Sequence, residues 1–231
     1  MSQAIFITGT GTNVGKTFVT ALLVKKFREQ GKNAGYYKAV LSGAECIGKQ
    51  LIPGDAKFVC DIAKLSVKPS SLVSYIYKMA VSPHLAAHKE GNPVTLSKIQ
   101  EDYKQISKRF SYLFVEGSGG IVCPLRIDEQ ETIMLTDVIT MLDIPMIIVS
   151  DTYLGSINRA VLTATYAKSK GIKIKGFIFN SYDPSDEMQK DNCQRIEQLT
   201  GVPTLGYVYH NEAKLHLCTQ ALLALFEGEK R

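Results

Sequence analysis

Short runs that are apolar at successive positions alternate along the chain with longer stretches whose apolar positions recur at helical spacing. The runs at 4–8, 34–38, 112–116, 145–150, 174–180 and 204–208 read as strands covered on both faces, as in a parallel sheet flanked by helices. Between the first two, 16–30 places Val19, Leu22, Leu23 and Phe27 on one helical face and stops at Gly31. Stretches 158–170 and 190–199 stop in the same way at Gly171 and Gly201, glycines suited to the left-handed residue that closes a helix. This alternation predicts an α/β fold of three layers, αβα, around a mostly parallel central sheet. With no repeat or linker, 1–231 reads as one domain. Residues 41–109, interrupted by Pro53, Pro69, Pro83 and Pro93, read as loops and helices inserted between two sheet strands, a natural place for substrate-binding elements. Stretch 215–226 is faintly amphipathic and reads as a helix packed on the domain.

The most informative stretch is Thr8-Gly9-Thr10-Gly11-Thr12-Asn13-Val14-Gly15-Lys16-Thr17. It follows a strand and opens a helix, the context that a phosphate-binding loop requires. N–H groups around a helix N-terminus point at phosphate oxygens, and the helix dipole favours their charge. Lys16 would neutralise phosphate oxygens, and the Thr17 hydroxyl can ligate Mg²⁺. The strict G-x-x-x-x-G-K-[ST] pattern puts glycine where this chain has Thr10, so the loop is a variant. The dinucleotide pattern G-x-G-x-x-G fails at Val14. Gly11, Thr12, Asn13, Val14, Gly15, Lys16 and Thr17 are the nucleotide-binding candidates; the competing reading is a glycine-rich turn with an incidental Gly-Lys-Thr.

A second carboxylate near a metal would come from Tyr112-Leu113-Phe114-Val115-Glu116-Gly117-Ser118-Gly119-Gly120. Glu116 closes a strand, the end at which open α/β sheets bind ligands, and the glycines after it let backbone approach a substrate. As a hydrolase elbow G-x-S-x-G the stretch fails at Glu116. Asp55 is either a further metal ligand or a helix N-cap. Lys38, ending a strand, is either solvated or stabilises negative charge developing in phosphoryl transfer. His84 and His88 have helical i, i+4 spacing but lack the Glu of H-E-x-x-H, which argues against zinc.

Composition narrows the class. A hydrophobic share of 45% with 21% charged residues supports a packed core. No apolar run reaches the roughly 20 residues needed to cross a bilayer, and no leader pattern opens the chain. Cys46, Cys60, Cys123, Cys193 and Cys218 are scattered without a C-x-x-C pair, which suits free thiols in the cytoplasm. The net charge of +5 is mild, and Lys168, Lys170, Lys173 and Lys175 read as helix-end compensation rather than a nucleic-acid footprint.

Together these motifs resemble the dethiobiotin synthetase family of P-loop NTPase-like enzymes. The family's G-T-x-T-x-V-G-K-T loop matches Gly9 to Thr17, and its Y-K-P-V-x-S-G matches Tyr37 to Gly43 with Ala39 for proline. Its metal-binding aspartate falls on Asp55 and its S-P-H on Ser82-Pro83-His84. Its V-E-G-A-G-G falls on Val115 to Gly120 with Ser118 for alanine, and its L-G-x-I-N on Leu154 to Asn158. The resemblance implies that 7,8-diaminononanoate, CO₂ and ATP give dethiobiotin through a carbamate and its phosphoric anhydride. It implies charge stabilisation by Lys16 and Lys38, positioning by Thr12, and Mg²⁺ on Thr17, Asp55 and Glu116. The diamine would meet Thr12, Lys38, Ser42 and Gly119, with its carboxylate at Gly155, Ser156, Ile157 and Asn158 across a homodimer interface. From sequence alone that last segment also reads as an ordinary helix start capped by Ser156. Asn180 matches the family's adenine-binding asparagine, whereas Ser181, Tyr209 and the tail 210–231 depart from the family pattern.

Two alternatives compete. A cobyrinate diamide synthase needs an amidotransferase domain for which 231 residues leave no room. A partner-binding ATPase switch of the ParA/MinD type carries a signature lysine early in the loop, where this chain has Gly9-Thr10-Gly11.

Overall fold

The computed structural model describes residues 3–217 and 225–226. Strand β1 (Gln3–Gly9) leads through a loop into helix α1 (Lys16–Glu29), followed by β2 (Ala34–Ser42). A small hairpin of β3 (Glu45–Ile47) and β4 (Gln50–Ile52) precedes α2 (Gly54–Ala63), a 3-10 turn at Pro69–Leu72 and β5 (Val73–Tyr77). Helices α3 (Pro83–Lys89) and α4 (Leu96–Ser107) lead to β6 (Tyr112–Glu116). A second hairpin follows, of β7 (Pro124–Ile127) and β8 (Thr132–Met134). Then come α5 (Leu135–Leu142), β9 (Met146–Ser150), α6 (Ser156–Ser169) and β10 (Ile174–Tyr182). The last described elements are α7 (Glu187–Thr200), β11 (Thr204–Tyr209) and β12 (Leu215–His216).

Eight strands form one sheet in the order β12-β11-β10-β9-β1-β6-β2-β5. Every neighbouring pair is parallel except β11 with β12. All six strands expected from the apolar runs are present, and the three helices end one or two residues before their glycines. Residues such as Ile5, Phe6, Ile7, Phe114, Val115, Ile147 and Ile148 are fully buried, as the continuous apolar runs require when helices cover both faces. Helix α1 packs on α2, α4 on α5 and α6 on α7, which gives the three-layer αβα arrangement.

Two expectations are corrected. Stretch 41–109 is not only loops and helices, because Val73–Tyr77 joins the sheet as its edge strand beside β2. Its residues alternate between buried and half-buried, so an edge strand with one wetter face lacks the unbroken apolar run of the inner strands. Within 215–226, Leu215–His216 is a short antiparallel strand rather than helix. Residues 218–224 of that expected helix, Cys218 among them, lie outside the described residues. Among the described residues no helix is long and apolar enough to cross a membrane.

Strand order places the site. The chain leaves β1 toward β2 on one side and later fills β9 on the other, so a crevice opens at the carboxyl ends of the strands around this switch point. Register does the rest: Glu116 on β6 is opposite Ile7 on β1 and opposite Lys38 on β2.

Candidate active site

The loop between β1 and α1 is held from both sides. Thr10 N–H donates to the Val149 carbonyl at 3.0 Å and its hydroxyl to Ser150 Oγ at 3.2 Å, both on β9. From β10, Asn180 Nδ2 donates to the Val14 carbonyl at 3.1 Å. Asn13 and Gly15 adopt left-handed conformations, with φ of 64° and 88°. At position 15 only glycine fits, because a Cβ there would fall 2.1 Å from Asn180 Nδ2. Gly15 is also the N-cap of α1 and contributes no side-chain cap, and the helix's first turn carries no acidic residue. Its leading N–H groups are thus left for an anion.

Four charged groups and a hydroxyl converge beside that loop. Lys38 Nζ lies 2.6 Å from Glu116 Oε1 and 2.6 Å from Asp55 Oδ2. Thr17 donates its hydroxyl to the same Glu116 Oε1 at 2.8 Å. Burial works against the Lys38 ammonium, but Glu116 and Asp55 together outweigh it and hold its pKa above the ordinary lysine value. Lys38 is therefore buried and charged rather than solvated. Lys16 is buried and donates to the Gly11 carbonyl at 2.8 Å. Burial first, and then the charge of Lys38, pull its pKa down to about 8. Asp55 sits in the first turn of α2, whose N-cap is Pro53; its carboxylate faces Lys38, which settles its sequence ambiguity against capping.

Thr12, Asn13, Gly15, Lys16, Thr17, Lys38, Ser42, Asp55, Glu116 and Gly119 line one cleft of about 670 Å³. Of the remaining loop residues, Gly11 offers its carbonyl to Lys16 and Val14 its carbonyl to Asn180. Four further residues line the cleft without having been singled out: Phe18, Leu41, Phe58 and Ser118. Phe58 follows Asp55 by one helical turn and Phe18 follows Thr17 directly, spacings that could have flagged both. The Phe18 and Phe58 rings lie 6.3 Å apart and give the cleft an apolar flank. Ser118 Oγ donates to the Val40 carbonyl at 2.5 Å, tying the glycine-rich turn to β2.

Glu116 Oε2 is buried and lacks a partner. Two carboxylates and a hydroxyl on this cleft are a hard-oxygen donor set that fits Mg²⁺, which uses one or two carboxylates and completes its shell with water and phosphate. Among the described residues no group of three or more His, Cys, Asp or Glu could hold a metal. His84 and His88 border a different cavity, of about 180 Å³, with Arg126 and Asp128. Gly155, Ser156, Ile157 and Asn158 do not line the cleft. They open α6, where Gly155 at φ 85° is the N-cap; the Ser156 hydroxyl makes no capping bond, contrary to the sequence alternative.

A family model described as an AAA domain matches residues 3–214. The chain is 46% identical over 215 residues to the ATP-dependent dethiobiotin synthetase BioD of Brachyspira hyodysenteriae, covering 93% of this chain and 96% of that protein. It is 47% identical over 203 residues to the protein of that name from Clostridium botulinum strain Alaska E43, covering 88% and 89%. Among solved structures it is similar to the MinC:MinD cell division protein complex of Aquifex aeolicus, with TM-score 0.56 and 17% identity over 91% of this chain and 82% of that one. A ParA family ATPase from Chlorobium tepidum has TM-score 0.56 and 15% identity, over 98% and 91%. At such identities the structural likeness establishes the P-loop NTPase fold and gives no support to a partner-binding switch. Relatives nearly half identical along almost their whole length decide the narrower question: the chain belongs to the ATP-dependent dethiobiotin synthetase family.

Proposed function

We propose that the protein closes the ureido ring of dethiobiotin from 7,8-diaminononanoate, CO₂ and ATP, releasing ADP and phosphate. The observation that carries this reading is the buried Lys38 ammonium held between Glu116 and Asp55, beside the open N-terminus of α1. One amine adds to CO₂ and loses a proton, giving a carbamate. A carbamate oxygen takes the γ-phosphoryl group of ATP, which leaves ADP and a carbamic–phosphoric anhydride. The second amine then attacks the carbonyl carbon, loses its proton and expels phosphate.

No step needs a nucleophilic side chain, so the protein acts through placement and charge. Lys16 and Lys38 would counter the negative charge on phosphoryl and carbamate oxygens, with Thr12 positioning both. Thr17, Asp55 and Glu116 would hold Mg²⁺, which when bound supplies neutralising charge at the phosphates. Ser42 and Gly119 would face the diamine, whose methylene chain suits the flank of Phe18, Leu41 and Phe58. Asn180 would meet the base while it braces the phosphate loop.

The working unit in this reading is a homodimer, in which 155–158 serves the substrate carboxylate of the second copy. Supporting it are the N–H groups of Ile157 and Asn158 at the head of α6, which no side chain caps, and the exposed Leu154 and Tyr153 just before it, apolar surface that a second copy would cover. The described cysteines are all free thiols, which suits the cytoplasm. Phosphate release measured with and without the diamine tests the reaction: strong diamine dependence is expected, and equal rates overturn it. A monomeric mass by light scattering would remove the shared-site arrangement.

A further inference from the structure

The first two turns of α7 bury two amide side chains where packing alone would favour apolar ones. Gln189 and Asn192 are buried, and so is Thr152 on the loop after β9. Positions 189 and 192 share one helix face, and that face turns toward two loops. The Gln189 amide oxygen accepts the Thr152 hydroxyl from the loop after β9 and the Asp183 N–H, at 3.0 Å, from the loop after β10. Its amide nitrogen donates to Asp186 Oδ2 at 3.1 Å, while Asp186 Oδ1 caps the helix by accepting Gln189 N–H. Asn192 Nδ2 adds a bond to the Thr152 carbonyl at 2.8 Å.

The two loops joined by Gln189 lead to different parts of the chemistry. The β9 loop runs from Thr152 into 155–158, at the head of α6. The β10 loop adjoins Asn180, which fixes the phosphate loop through Val14, and Ser181, held in a left-handed conformation at φ 57°. The Gln189 oxygen accepts from two donors on different loops, and leaving a buried partner without its bond is costly. We infer that Gln189 is a positioning residue that locks the loop serving the diamine carboxylate to the loop serving the nucleotide. The inference rests on the dethiobiotin synthetase reading for what each loop holds.

The test uses the full-length protein and steady-state phosphate release with both substrates varied. Gln189→Ala strands the Thr152 hydroxyl and the Asp183 N–H; KM for the diamine is expected to rise about tenfold and KM for ATP to rise with it, with kcat within about threefold. The double variant Gln189→Glu with Asp186→Asn reverses donor and acceptor across the 186–189 contact, keeps an oxygen for both loops and keeps a good N-cap. It is expected to bring both KM values back within about threefold of the parent. Thr152→Val, which keeps the shape and removes one bond, should raise KM for the diamine even if Gln189→Ala folds poorly. Unchanged KM values in Thr152→Val and in a folded Gln189→Ala, or no recovery in the double variant, overturn the inference. Absence of diamine-dependent phosphate release from the unaltered protein is a separate result, and it sinks the reaction assignment instead.

Discussion

Lys38 Nζ and Glu116 Oε1 lie 2.6 Å apart with side-chain exposures of 5% and 0%. The pair exists because β2 and β6 run in parallel and bring Glu116, the last residue of β6, into register with Lys38. Strand β2 continues to Ser42, so Lys38 lies mid-strand and does not end it as the apolar run suggested. Desolvating both charges is expensive, and it is offset here by Asp55 on the ammonium and Thr17 on the carboxylate. A pair of this kind is a poor way to gain stability; in the proposed reaction it would hold positive charge beside the transferring phosphoryl group.

Lys38→Ala is expected to lower kcat by about a hundredfold or more, by analogy with loss of one preorganised charge-stabilising donor. It should also destabilise the nucleotide-free protein by about 3–5 kcal/mol, because Glu116 stays buried without its cation. Turnover assays and thermal melts check the two effects; parental kcat in a folded variant would remove Lys38 from the chemistry.

Glu116→Gln keeps the shape of the site and deletes its buried negative charge. The Mg²⁺ concentration for half-maximal phosphate release is expected to rise about tenfold or more, since a neutral amide oxygen is a weaker partner for a hard cation. A Mg²⁺ titration at saturating ATP gives the answer, and an unmoved midpoint excludes Glu116 as a ligand.

Gly15→Ala combines a left-handed backbone with a collision against Asn180. Strain of about 1–3 kcal/mol is expected, with ATP affinity reduced about tenfold or more as Asn180 is pushed off the Val14 carbonyl. Gly31→Ala is the control: φ is 73° there and nothing lies within 4 Å of the added Cβ. Calorimetry should find ATP binding weakened by the first substitution and unaffected by the second.

Burial pushes the thiols of Cys60 and Cys123 up to about 11 and that of Cys193 up to about 12. At pH 8 about one in a thousand of the first two is thiolate, so iodoacetamide should label exposed Cys46 well before these three, as mass mapping would read. The sign for stability follows from the same shifts. Unfolded thiols ionise first as pH rises, so the contribution of these groups is complete below about pH 9 and is lost toward the folded values. Fast labelling of Cys123 at pH 8 would contradict its burial.

Much of this protein was fixed by local order in the sequence. Uninterrupted apolar runs could only become strands covered on both sides, and glycines at 31, 171 and 201 mark helix ends. The spacing of Gly9 to Thr17, after a strand and before a helix, marked that stretch as a candidate phosphate-binding loop. Partnership between distant segments was beyond local pattern. Lys38 and Asp55 were each ambiguous alone, as a solvated lysine and a cap, until strand register and the start of α2 placed Lys38 Nζ 2.6 Å from both Glu116 and Asp55. The amide joint at Gln189 escaped for the same reason, whereas the edge strand Val73–Tyr77 escaped because its half-wet face breaks the apolar run. A residue's burial and charge state depend on what the fold packs against it, and those neighbours come from parts of the chain that a sequence window does not contain.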